Sequence, residues 1–475
     1  MKNPDFVFDQ QWNPNRWWAL VILLLGNFMV ILDTFIVNVA LPTIQGQLHA
    51  NESQIQLVVA VYVLAYAVLL IIGARLGDWL GRKQMFISGM VIFTFASALC
   101  GIAIETNFLI VARVIQGMGA AILIPQVLSI IQVIFPPDER GRAIGLYGAI
   151  SGLALIAGQI FGGLLIHFNI FGLGWRSVFL INVPVGIISI ICILPLIKDI
   201  RTRDNAAIDS VGSIMLTSSL ILLVYPLIIG REVGWPIWIF CMLVGSAAIF
   251  GTFIYHQKKI IKANRTPLIP LSIFRQSIFT IGVLTIFMFQ IANSGFFLVT
   301  SLFLQNGLSI SAMQSALAFA PIGVGFFLGS LYGPKWAKQN AHVLKIGAWG
   351  LVLGFSIVTI VLMTVDALQW QTFVIPFFVI GLGQGLIGAP LMGVIMSGVG
   401  KEYAGSASGV ISTFMQIANT LGVAIIGTIF FSILQTTSYN YAFVISITIS
   451  IGFGVVILTL LHRLQGKRIY AIQKI

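Results

Sequence analysis

Asp33, in the stretch ILDTFIVNVALPTI (Ile31 to Ile44), and Arg113, in LIVARVIQGMGAA, are charged residues set inside runs that are otherwise apolar. A charge in the middle of a hydrocarbon layer is costly, so an intramembrane acid or base is a functional candidate by default. The chemistry open to this pair is proton exchange. Burial and a nearby guanidinium act in opposite senses on a carboxylate's proton affinity. A carboxyl group balanced between them can load and release a proton when solvent access changes sides. Gln116 lies three residues after Arg113 on the same helix face, where it can hold the guanidinium or touch a substrate. Thr34 and Asn38 share a face of the first helix and can complete a polar lining. The competing reading is an ion pair that only fixes helix register. Pairing alone is weak evidence for a stabilising purpose, since apolar replacements of buried pairs are often neutral or better.

These residues must be positioned by membrane helices. Of 475 residues, 58% are hydrophobic and 8% charged, and the mean hydropathy is +1.01, whereas a soluble domain carries about 25% charged residues. A hydrocarbon core about 30 Å thick needs about 20 apolar residues in a helix. Cutting the chain at polar and turn residues predicts an all-α polytopic bundle with spans near 17–41, 52–75, 84–104, 107–134, 141–168, 174–197, 208–230 and 235–256. The remaining spans are near 277–304, 311–333, 342–364, 369–398, 403–434 and 440–462. With fourteen spans both ends fall on one side. At about 1.5 Å per residue, Asp33 sits roughly 12 Å and Arg113 roughly 9 Å from the outer edge, so the two can meet in the outer half. The start MKNPDFVFDQQWNPNRWW has no short apolar core followed by a small-residue cleavage site, so no removable signal peptide is expected. Trp17 and Trp18 read as interfacial anchors.

Basic residues set the orientation, because Lys and Arg are retained in cytoplasmic loops. Of the 26, 23 fall on one side, Arg176 and Arg231 fall on the other, and Arg113 is embedded. Both termini are therefore expected in the cytoplasm. The net charge of +12 follows from this asymmetry and needs no nucleic-acid partner. Of the 14 acids, all but Asp33 lie in loops or at membrane edges. Cys100, Cys192 and Cys241 are widely spaced in apolar segments and read as small buried residues, so no metal site is expected. His49, His167, His256, His342 and His462 lie at loops or span ends without a carboxylate constellation, and no phosphate-cradling loop is present. An enzyme is therefore not expected.

Several motifs resemble one family. GARLGDWLGRKQMF, read as a short loop between the second and third spans, resembles the signature loop of the major facilitator superfamily. LIVARVIQGMGAA is similar to that superfamily's fourth-span motif, LDTFIVNVALP to the first-span motif of fourteen-span drug exporters, and AGQIFGGLL to the fifth-span antiporter motif. GWRSVFLINVP, PLIPLSIFRQ and GSASGVISTFMQIANTLGVAI are also similar to the drug:proton antiporter branch of the EmrB/QacA type. The resemblance covers nearly the whole chain and rests on the order of these motifs together with fourteen spans.

The resemblance implies two six-helix halves around a central cavity with two extra helices between them. On this chain the division is a cytoplasmic segment 1–16, an N-terminal half 17–197, linkers with two added helices 198–275 (helices near 208–256), a C-terminal half 276–463 and a cytoplasmic tail 464–475. The resemblance also implies a conformational latch of Asp78, Gly81, Arg82, Asp138 and Glu139. Asp78 would meet a helix start near Gly405, and Arg82 would pair with Asp138 or Glu139. Arg113 and Asp33 become the proton-coupling residues, driven by the proton gradient with no cofactor. Ala74 and Trp79 depart from the signature loop, and Gln159 stands where the antiporter motif of Gly158, Gly162 and Gly163 has a proline.

The substrate cavity is expected to include Thr34, Asn38, Gln116, Gln290 and Asn293 in FMFQIANSGFF, and Gln384, Gln416 and Asn419. Flexible apolar walls with a few polar groups suit bulky amphipathic ligands. With one membrane acid, a lipophilic monocation or a neutral amphiphile fits better than a multiply charged cation. The expected function is proton-coupled multidrug efflux in a bacterial inner or plasma membrane, with lipids, protons and a small amphiphile as partners and a periplasmic adaptor left open. A dedicated exporter of one metabolite, siderophore or lipid, and a non-transporting sensor or scaffold, are the alternatives.

Overall fold

The computed structural model describes residues 14–197, 209–263, 267–269, 271–339, 342–365, 368–397, 399 and 404–472. Within them lie fourteen helices long and apolar enough to cross a membrane. They are α1 (Arg16–Leu48), α2 (Glu52–Leu80), α3 (Arg82–Gly101), α4 (Thr106–Ile134), α5 (Pro137–Phe168), α6 (Gly174–Leu196) and α7 (Ser210–Ile229). The rest are α8 (Ile237–Lys262), α9 (Ser277–Leu302), α10 (Ala312–Gln339), α11 (Val343–Thr364), α12 (Val374–Ser397), α13 (Ala404–Leu434) and α14 (Tyr439–Ile472). Helices are forced here because a lipid-facing backbone must satisfy its own N–H and C=O groups.

Two boundaries differ from the sequence reading. α1 runs past the expected end near residue 41 to Leu48, where His49 closes it in the left-handed region at φ 49°. Gln45 and Gln47 are polar yet good helix formers, and Pro42 does not end the helix. GARLGDWLGRKQMF is not a loop. α2 continues to Leu80 and α3 begins at Arg82, so the connection is Gly81 alone at φ 110°, a conformation that glycine adopts without a Cβ penalty.

In the first half α1 packs on α5, and α4 on both α2 and α3. In the second, α9 packs on α13 and α14, and α12 on α10 and α11. The halves meet along α2 with α13 and α5 with α10. α7 and α8 pair with each other, and α7 also touches α2 and α13, so the extra pair sits against the seam between the halves. Large apolar side chains such as Ile104, Val244 and Ile375 are exposed, as a lipid-facing surface requires.

The seam is tight at the end where α1 turns into α2. There Ser301 Oγ donates to the Asn38 carbonyl at 2.5 Å, Gln305 Nε2 to the Val39 carbonyl at 3.0 Å and Asn306 Nδ2 to Gln45 Oε1 at 3.3 Å. Thr428 Oγ1 of α13 donates to the Leu227 carbonyl at 2.7 Å, and Arg231 Nη2 pairs with Glu52 Oε2 at 2.5 Å. At the α2–α3 end the helices part. Residues 144, 145, 146 and 148 of α5 are exposed there, while Ala143 and Tyr147 hold the opposite side of the helix to the first-half core. A Cβ at Gly145, Gly148, Gly393 or Gly409 would meet nothing within 4 Å.

Candidate functional site

Five helices of the first half converge on Asp33, at the middle of α1. From α4, Arg113 Nη1 donates to Asp33 Oδ2 and Gln116 Nε2 to Asp33 Oδ1 at 2.8 Å. From α6, Asn182 Nδ2 donates to the same Oδ1 at 3.0 Å. Arg113 is held in turn by Gln116 Oε1 at 2.7 Å and, through Nε, by the Val58 carbonyl of α2 at 3.1 Å. Its guanidinium lies 4.0 Å from the centre of the Tyr62 ring, whose face attracts the cation. Ser97 Oγ of α3 accepts from Gln116 Nε2 at 2.8 Å and donates to the Phe93 carbonyl at 2.8 Å. Asp33, Ser97, Arg113 and Gln116 are all 0% exposed.

The site is thus dry, and nearly every polar atom in it is satisfied. A carboxylate with only acceptor oxygens suits three converging donors. Arg113 Nη2 is the exception, buried with no partner among the described residues. A proton arriving on Asp33 would cancel the ion pair while leaving Arg113 two acceptors already in place, Gln116 Oε1 and the Val58 carbonyl. Asn182, Ser97 and Tyr62 were not singled out from sequence. Asn182 lies within GWRSVFLINVP, where a lone polar residue in an apolar span was the available signal.

Of the other expected cavity groups, Thr34 alone touches this network among the described residues, sharing the Val30 carbonyl with the Tyr62 hydroxyl. Thr34 is half-buried and bonds back to the Val30 carbonyl. Asn38 is 5% exposed and offers its carbonyl to Ser301. In the second half, Gln384 Nε2 donates to Asn293 Oδ1 at 2.5 Å and Asn419 Nδ2 to Gln416 Oε1 at 3.2 Å. Gln290 is half-buried, its carbonyl accepting from Ser294. These form polar patches on α9 with α12 and on α13, joined where Ser294 Oγ also donates to the Asn419 carbonyl at 2.8 Å.

At the α2–α3 end, Glu139 accepts from Arg16 Nε at 2.8 Å and Nη2 at 3.0 Å. Arg82 Nη1 donates to the Ser129 carbonyl at 2.9 Å, and Asp138 is exposed. Glu139, expected with Asp138 as a partner for Arg82, takes Arg16 as a partner here. The α4–α5 turn brings Glu139 under the start of α1, a contact between distant segments that spacing does not reveal. The Asp78 side chain lies outside the described residues.

Gly158 and Gly162 let α5 lie against α1. A Cβ would stand 2.9 Å from the Leu32 carbonyl oxygen at Gly158 and 3.0 Å from that of Ile36 at Gly162. Gly163 faces α10, 2.9 Å from the Ala312 carbonyl oxygen. Gln159 is 2% exposed and donates from Nε2 to the Phe35 carbonyl of α1 at 3.3 Å, so a cross-helix bond stands where a proline was expected. One histidine does find a carboxylate, against expectation: His256 Nε2 lies 3.0 Å from Asp209 Oδ1. Cys241 is exposed rather than buried.

A sequence model described as Major Facilitator Superfamily matches residues 23–423. The chain is 38% identical over 429 residues to a probable actinorhodin transporter of Streptomyces coelicolor, covering 88% of this chain and 73% of that one. It is 31% identical to a puromycin resistance protein of Streptomyces alboniger, with 88% and 82% covered. It is also 31% identical to a methylenomycin A resistance protein of Bacillus subtilis, with 86% and 87% covered. Among solved structures, a bacterial homologue of the human lysosomal transporter Spinster, in an inward-facing and unoccupied conformation, matches at a TM-score of 0.68 and 17% identity. That match covers 95% of this chain and 97% of the other.

Proposed function

The chain belongs to the major facilitator superfamily, and from that premise we propose that it exports hydrophobic or amphipathic compounds across a bacterial plasma membrane in exchange for protons. It is a multi-pass membrane protein. The two halves, 17–197 and 276–463, rock about the seam, with the α2–α3 end and both termini facing the cytoplasm. The basic residues of that end support this orientation. Parallel repeats rocking against each other are a known route to alternating access.

The observation that carries proton coupling is a fully buried carboxylate whose three donors come from two other helices. In this reading a proton from the outside neutralises Asp33 when water reaches it from that side. Arg113 then shifts its weight to Gln116 and Val58, and the changed helix contacts favour rocking. On the cytoplasmic side the proton leaves and the three-donor arrangement re-forms. The Phe-rich interior, with 35 phenylalanines in the chain, and the two polar patches of the second half suit an amphiphile with few hydrogen-bonding groups.

The test is efflux from intact cells of a fluorescent lipophilic cation, with resistance to a panel including puromycin scored in parallel. Efflux abolished by a protonophore supports the reading; efflux unchanged by it excludes proton coupling. The 38% identical relative is named for a single compound, which favours a second reading, a dedicated exporter. Resistance to one compound and none of the panel selects that reading.

A further inference from the structure

A cavity of about 520 Å³ lies between the added pair α7 and α8 on one side and α9, α13 and the segment before α9 on the other. Its wall is almost wholly carbon, including Leu216 and Leu220 of α7, Phe253 of α8, Phe274 before α9 and Phe414 of α13. Phe250 of α8 also lines it and is 44% exposed, so the rim reaches the lipid-facing surface. The lining holds no acid and no base.

Three hydroxyl-bearing residues adjoin the cavity. Ser246 Oγ donates to the Ser219 carbonyl at 2.7 Å. Thr413, 0% exposed, has a hydroxyl with no partner among the described residues. A helical threonine ordinarily bonds back one turn, as Thr285 and Thr420 do here. Thr413 therefore lies just behind the wall, its hydroxyl sealed from the slot, and the surface the slot presents is apolar.

Just beyond the cavity, at the α2–α3 end, the exposed charges on the described part of α8 and beside Phe274 are basic, while the nearby acid Asp209 is turned inward onto His256 and Gln257. Lys258 follows the lining residue Ile254 by one helical turn, Lys259 and Lys262 complete the last turns of α8, and Arg275 adjoins the lining residue Phe274. All four are exposed. An apolar slot open to the bilayer and a basic rim at the membrane surface match a single ligand chemistry, an acyl chain carrying an anionic head.

We propose that this cavity binds one anionic phospholipid, with an acyl chain between the added helices and the second half. Its phosphate lies against Lys258, Lys262 and Arg275. The proposal rests on the orientation given above, which sets this end at the cytoplasmic leaflet where anionic lipids attract basic segments. It does not depend on proton coupling. The lipid would make the extra pair a lipid-dependent brace against the seam.

The test is native mass spectrometry of the full chain in detergent, titrated with phosphatidylglycerol and, separately, with phosphatidylcholine of the same chains. One phosphatidylglycerol should be retained with about tenfold preference. Leu220→Trp, which fills the slot, and Lys258→Glu with Arg275→Glu, which are surface changes that leave packing alone, should each weaken retention about tenfold. Thr413→Val, at a hydroxyl sealed from the slot, should leave retention unchanged. Unchanged melting in detergent shows that each variant is folded. Equal retention of both lipids, indifferent to Leu220→Trp and to the charge reversals, would mean shell lipid only and overturn the proposal. One-for-one displacement of phosphatidylglycerol by puromycin would also overturn it, by making the slot a drug chamber.

Discussion

Asp33 owes its place to its donors. Removing Arg113 leaves a buried carboxylate without its cation, and breaking a buried pair in this way costs about 3–5 kcal/mol. Arg113→Ala should therefore lower the melting temperature in detergent strongly, and adding Asp33→Asn to it should restore part of the loss, as a double-mutant cycle reads directly. A fall in stability that Asp33→Asn leaves untouched would show that the two residues are not coupled. Asn182→Ala removes one donor to Oδ1, and a hydrogen bond to a charged group is worth about 1.5–3 kcal/mol. The expected outcome is a folded protein whose transport has a displaced pH profile; an unchanged profile would assign Asn182 to packing alone. Asp33, Arg113 and Gln116 were legible in sequence because charge and amide stand out in apolar runs. Asn182, Ser97 and Tyr62 were not, because small polar residues and tyrosines occur throughout membrane helices. Only the packing of α2 and α3 on α4, and of α6 on α1 and α3, shows which of them enter the network around the carboxylate.

Among the elements, α5 is positioned by what it lacks. The near contacts of Gly158 and Gly162 with α1 carbonyls predict that Gly158→Leu forces the helices apart, an overpacking that costs about 1–3 kcal/mol. The measurable results are reduced folded yield and lower melting temperature, whereas Gly148→Leu, in open space, should be tolerated. The added pair depends on a different device. Asp209 caps α7 through Gly212 N–H at 2.8 Å and holds His256 and Gln257, and Gln257 Oε1 accepts from the backbone of Leu268 and Ile269. Burial pushes the Asp209 carboxyl up, but Gly212, His256 and Gln257 together outweigh it and hold the group below its ordinary value. A carboxyl held low in the folded state contributes stability that is complete above its unfolded value of about 3.9 and is lost as pH falls through the folded one. The melting difference between the wild type and Asp209→Asn should accordingly be constant near neutrality and shrink in acid; a difference independent of pH would rule out the charged form as its source. Span number and order were readable because hydrocarbon thickness fixes helix length. The α2–α3 connection was misread because Gly, Asp and Arg in GARLGDWLGRKQMF look like breakers, while in the fold only Gly81 leaves the helical region.

For the molecule as a whole, the halves are closed at the α1–α2 end and parted at the other. Gln45 and Asn306 are side-chain partners across the closed end, so Gln45→Cys with Asn306→Cys should cross-link readily without substrate and stop transport until reduced. Failure to cross-link in the resting protein would mean that this end is not the closed one. Which end is closed was invisible in sequence, since the contacts join residues more than 250 positions apart and use backbone carbonyls of Asn38 and Val39 that any residue would supply. Alternation between this state and its opposite becomes export only if the site at Asp33 trades protons with the two sides in turn. The most direct measurement is proton movement in inverted membrane vesicles holding an acid interior, on addition of a compound to which the protein gives resistance. The account predicts that the wild type releases protons from the lumen as the compound enters, and that Asp33→Asn, expressed and folded to the same level, releases none. Proton release by Asp33→Asn at the wild-type rate would contradict the assignment of coupling to this carboxylate.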